Sequence, residues 1–175
     1  MDFNTILSIN QSVHNAGAAL FGAGPFYFLL LLSRGRAVEG DFSFARVRTL
    51  EEVFGVSLNI WIVFLIIQAL SGAAFGFLSL AYEGAIPEVS AIAMIALLVK
   101  VLSAAGAFFI TVYLKLSVAP RLRALVMDGG SGEENGGTKI SQYLALEKHR
   151  TNLIWALTLL GALALTGAAF LRWNL

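Results

Sequence analysis

Residues 53–82 read VFGVSLNIWIVFLIIQALSGAAFGFLSLAY: thirty positions without one Asp, Glu, Lys or Arg. At 1.5 Å per residue such a helix is about 45 Å long, more than the ~30 Å hydrocarbon layer of a bilayer requires. Working outward, residues 3–33, 86–119 and 151–171 are apolar over similar lengths, so four spans are expected. Unpaired backbone groups are too costly in lipid for open strands, and the short alternating segments of a barrel are absent. The expected fold is therefore all-α, a transmembrane four-helix bundle forming a single domain over residues 1–175.

Composition agrees with that reading. Hydrophobic residues make up 58% of the 175 and charged residues 13%, about half the charged share of a soluble domain. This leaves no room for a separate soluble catalytic domain. The chain has no cysteine, which excludes disulfides, thiolate metal sites and thiol catalysis. The first Lys or Arg is Arg34, so the N-terminus lacks the positive region of a cleavable signal, and the first span is expected to stay.

The cations sort to one side. Arg34, Arg36, Arg46 and Arg48 follow the first span, and Arg121, Arg123, Lys139, Lys148 and Arg150 follow the third, against Arg172 alone on the other side. This asymmetry predicts both termini outside and two longer loops in the cytoplasm, as in a bacterial cytoplasmic membrane. Residues 41–54 mix apolar and charged side chains at helical spacing, which suits either an interfacial helix or an extension of the second span. Residues 129–137, GGSGEENGG, read as a flexible linker.

Small residues crowd each span. Gly72 and Gly76 form a small-xxx-small pair of the kind that lets helix backbones approach, and Pro25 should bend the first helix. Clearing space for a flat cofactor or for a neighbouring subunit is the functional alternative to tight packing.

Ionisable groups inside spans are costly and mark functional sites by default. Here they are His14 and Lys100, with Asn59 and Gln68 as uncharged companions; Lys115 and His149 lie near the cytoplasmic ends. His14 lies 19 residues before Ser33 and Lys100 lies 19 before Ala119, which puts both roughly 28 Å from the cytoplasmic edge. An imidazole and an unprotonated lysine amine each offer a nitrogen lone pair to a haem iron, and the imidazole also to copper. The plainer alternatives are a Lys100 that snorkels to the headgroups and a His14 that closes a hydrogen bond within the bundle. His149 is expected at the interface, too far from His14 to share one haem with it.

Residues 14–27, HNAGAALFGAGPFY, resemble the opening pattern of the CopD/HemJ-like four-helix membrane proteins: His, an aromatic residue seven positions on, then Ala-Gly and Phe-Tyr, with Phe21 where Trp is usual. Residues 97–102, LLVKVL, are similar to their lysine-led third helix. Residues 118–123, VAPRLR, are similar to the Pro-Arg segment after it, and Glu147 and Arg150 fit the entry to the fourth. The resemblance implies b-type haem or copper near the outer leaflet, with His14 and, in the HemJ-like version, Lys100 as ligands. The chain lacks the other polar signature residues of the HemJ type and the Met- and His-rich stretches suited to copper traffic, and no reaction is assigned to it. The alternatives are a subunit without cofactor, packed on other transmembrane subunits or on copies of itself, and a small transporter. No feature points to nucleic acid.

Overall fold

The computed structural model describes residues 3–36, 44–83, 90–129 and 136–173. Its elements are α1 (Phe3–Arg36), α2 (Phe44–Glu83), α3 (Ala91–Tyr113), a π-helical turn (Leu114–Val118), α4 (Ala119–Gly129) and α5 (Gly136–Trp173). Every element is helical, and four stretches are long and apolar enough to cross a membrane: Phe3–Ser33, Arg46–Leu78, Ala91–Met127 and Thr138–Ala168.

Local chemistry explains the boundaries. The Ser90 side chain accepts a hydrogen bond from the Ala93 backbone N–H at 3.2 Å, an N-cap that starts α3 at Ala91 rather than at residue 86. Pro120 has no N–H to give the Leu116 carbonyl, and its ring crowds that carbonyl. The chain answers with a wider turn just before it, in which the Ala119 N–H reaches back to Leu114. The backbone stays helical through this turn, so α3 and α4 follow one another without a break.

Two expected boundaries move. Residues 44–54 belong to α2, so within the described residues the extension reading applies and no separate interfacial helix forms; residues 41–43 lie outside them. The helix that contains span four, α5, begins at Gly136, fifteen residues before the expected 151, and Tyr143 and Leu146 pack its first turns on the bundle. The end of the expected linker thereby becomes helix, and its residues 130–135 lie outside the described set. Pro25 lies within α1, which is helical on both sides of it.

In the bundle α1 packs along α2 and α5, α3 packs along α5, and α4 fits between α2 and α5 at the Arg-rich end. Each helix buries one stripe. In α2 it runs Glu51, Phe54, Leu58, Trp61, Leu65 and Ser71, and in α3 Ala93, Ala96, Ser103, Ala107 and Thr111, the three- and four-residue spacing of a helix face once half-buried Gln68 and Lys100 fill the two longer gaps. The other faces carry exposed Leu, Ile, Val and Phe, as lipid contact requires.

The middle of the bundle is aromatic. Phe21 stacks on Trp61 at 6.0 Å, Phe28 meets the Trp61 edge at 5.7 Å, and Phe28 packs on Phe54 at 5.1 Å. Lipid is as apolar as this core, so close packing rather than water exclusion holds it.

The glycines show where backbones come closest. A Cβ on Gly167 would stand 2.9 Å from the Ala96 carbonyl oxygen, so this glycine lets α5 approach α3. The expected Gly72/Gly76 pair does not join two helices. A Cβ on Gly76 would meet nothing within 4 Å, and one on Gly72 would stand 3.2 Å from the His14 ring.

Candidate functional site: a polar network around His14

His14 lies on the face of α1 that also carries Asn10, Gly17 and Phe21, turned toward α2. Its Nδ1 is 3.0 Å from the Ser71 hydroxyl, and that hydroxyl donates to the Gln68 carbonyl at 3.1 Å. The Asn10 amide donates to the Ser71 carbonyl at 3.1 Å. On the other side of the ring, Nε2 faces Lys100 Nζ at 2.9 Å and Gln68 Nε2 at 3.2 Å. Phe75 closes the site with a T-shaped ring contact at 5.4 Å.

These partners fix the tautomer. A lysine ammonium and an amide nitrogen can only donate, so with the Gln68 amide in this orientation Nε2 of His14 is the acceptor. Nδ1 then carries the proton and donates it to Ser71, whose own proton is committed to Gln68. The result is a neutral imidazole whose lone pair is aimed by a hydroxyl on its far nitrogen, the arrangement metal-ligating histidines use.

Lys100 reaches this site from the stripe that faces α5, between Ala96 and Ser103. Its Nζ turns into the bundle toward His14 rather than out to headgroups. The equal depth expected for the two residues is therefore matched by direct contact. Gln68 joins the same network, while Asn59 is exposed on the outer side of α2. Lys115 and His149 are exposed toward the other end, where His149 meets the Tyr113 ring edge at 6.1 Å.

As a haem site the pair fits in part. Two nitrogens on opposite sides of one iron stand about 4 Å apart, at roughly 2 Å each. At 2.9 Å, His14 and Lys100 bind each other and leave no room for an iron between them. The donor chemistry would suit His14 Nε2 as the single protein ligand.

A second polar cluster lies toward the Arg-rich end. Arg150 Nη1 donates to both Glu51 carboxylate oxygens at 2.7 Å, and the Tyr143 hydroxyl donates to Glu51 Oε1 at 3.0 Å. The Arg150 guanidinium lies over the Phe54 ring at 4.7 Å. The two charged side chains are 0% and 2% exposed. Arg150, counted in the sequence only among the cations that follow the third span, points inward while its neighbour His149, about 100° around the helix, points out.

The sequence reading passed over Asn10, Ser71, Glu51 and Tyr143. Glu51 carried a usable signal, since it precedes Phe54, Leu58, Trp61 and Leu65 at the spacing of their stripe. Ser71 continues the same face past Gln68.

No family model, no curated protein and no solved structure matches this chain.

Proposed function

We propose that this chain is a CopD/HemJ-like integral membrane protein that binds b-type haem through His14. The observation that supports this reading is the convergence on the His14 ring, with Ser71 at Nδ1 and Lys100 and Gln68 at Nε2. Nothing else among the described residues aims a basic lone pair so firmly.

Haem is favoured over bare copper by what each asks of a protein. Among the described residues no three His, Cys, Asp or Glu side chains converge, and a bare ion needs such a set. Haem brings four nitrogen donors and can be held by one histidine; when bound it would supply redox chemistry. The chain's own contribution is to fix the imidazole tautomer through Ser71 and to pack Phe75 against the ring. Lys100, whose Nζ faces Nε2 at 2.9 Å, would stand beside the bound group as a second nitrogen donor or a nearby cation. The positive-inside asymmetry puts both termini and this site toward the outer face of a cytoplasmic membrane, with the Glu51–Arg150 end inside.

The test is an absorption spectrum, oxidised and reduced, of gently extracted full-length protein with metal analysis of the same sample. A Soret band that persists in Lys100→Met and is lost in His14→Ala is the expected result. A featureless, metal-free spectrum of the unaltered protein overturns the haem reading, and copper without a Soret band replaces it.

Asn59 favours a second reading, a subunit of a larger membrane assembly. Its amide is exposed on α2 beside Val56, Ile60 and Val63, which are 60%, 53% and 53% exposed. An amide facing hydrocarbon unpaired is costly, and a neighbouring transmembrane helix would satisfy it. If Asn59→Leu leaves the native-gel mobility of mildly extracted protein unchanged at the monomer position, this reading fails.

A further inference from the structure

Between α4 and α5 lies a groove of about 620 Å3 that the haem reading does not use. Its rim is Arg121, Gln142 and His149, and its floor is Ala124, Leu125, Ala145 and Leu146. The two alanines make the hollow, since a longer side chain at either would fill it. Arg121, Gln142 and His149 are all exposed.

The position of this groove along the bundle says what could fill it. From Lys100 to Arg121 is 21 residues along α3 and α4, and from Gly167, which packs on Lys100, back to His149 is 18 along α5. At 1.5 Å per residue these are about 32 and 27 Å, one hydrocarbon thickness. With the Lys100 level at one boundary, Arg121 and His149 lie in the headgroup layer of the opposite leaflet, and Ala124, Leu125, Ala145 and Leu146, three or four positions further along their helices, lie about 5–6 Å beyond them on the water side.

Charge narrows the occupant further. Among the described residues no carboxylate lines the groove and no Asp or Glu pairs with Arg121. The neighbouring groove between α2 and α4 differs: its Arg48 is paired with Glu52 at 3.3 Å, and Glu51 lines it as well. Of the two, the α4/α5 groove alone joins a guanidinium without a carboxylate, two further N–H donors and an apolar floor. A guanidinium matches phosphate oxygens in bidentate geometry, and basic pockets between helices at the cytoplasmic face suit acidic headgroups.

We propose that this groove binds the headgroup of an anionic glycerophospholipid, its phosphate on Arg121 with Gln142 and His149 as further donors and the part of the headgroup beyond the phosphate against the two alanines. The proposal rests on the membrane embedding and is independent of haem.

The test is competition between phosphatidylglycerol and phosphatidylcholine, supplied equally to the full chain in mild detergent and read as retained lipid by native mass spectrometry. One cation near a lipid surface predicts roughly fivefold enrichment of phosphatidylglycerol. Arg121→Gln should reduce that ratio to near one, while Arg121→Lys retains most of it and Arg123→Gln leaves it unchanged. Ala145→Leu, which fills the floor without altering charge, should also lower it. Equal retention of both lipids by the unaltered protein overturns the proposal, as does Arg121→Gln keeping the preference or Arg123→Gln losing as much. Inorganic phosphate at the same concentration should not displace the lipid; displacement would assign the groove to a free anion instead.

Discussion

Lys100 on α3 lies 2.9 Å from His14 on α1, across 86 positions of sequence. Those two helices scarcely pack on each other, and the link between them runs through this contact and through α5 and, more weakly, α2, which touch both. The pair therefore joins elements that the rest of the packing leaves apart. Replacing His14 by Phe and Lys100 by Met, singly and together, should reveal a coupling of about 1–2 kcal/mol in detergent unfolding. Additive effects would mean that the contact carries no stability.

The Glu51–Arg150 pair should behave as a buried pair does. Arg150→Met strands a carboxylate out of water and should cost about 3–5 kcal/mol, whereas the double change Glu51→Leu with Arg150→Met should recover most of it. Unfolding midpoints of the two single variants and the double variant check the order. A double variant no more stable than the worse single one would contradict it.

Arg48 and Glu52 pair at 3.3 Å, against 2.7 Å for Arg150 and Glu51, and both side chains are more than half exposed, at 58% and 62%. Arg48→Gln should therefore change stability by no more than about 0.5 kcal/mol. The contrast sets an exposed, single-contact pair against a buried one with two short contacts, and the same unfolding assay reads both.

Gly167→Val should lower stability by about 1–3 kcal/mol, because the new side chain meets the Ala96 backbone, which has nowhere to go. Gly76→Ala should stay within about 0.5 kcal/mol. A reversed order would mean that Gly76 packs against a neighbouring chain.

Orientation can be read without a native cysteine in the way. A single cysteine replacing Ser131 should react with a membrane-impermeant maleimide only in inverted vesicles, and one replacing Asn4 only in intact cells. Labelling of both from the same side would overturn the positive-inside reading.

The number of helices and their membrane-spanning character were legible in the sequence, because crossing lipid demands length and apolarity, both local properties of a segment. Depth was legible too: counting 19 residues back from Ser33 and from Ala119 put His14 and Lys100 at one level, since helical rise is fixed. What a one-dimensional count omits is azimuth. Whether Lys100 turned inward or snorkelled depended on α5 approaching α3 at Gly167, and Asn59 and Gln68, alike in composition, part ways because nine residues rotate the helix by two and a half turns. Arg150 counted only among the cations that follow the third span until α2 and α5 brought it to Glu51, 99 positions away. Pairing of that kind is a property of packing between helices, and only the tertiary structure could decide it.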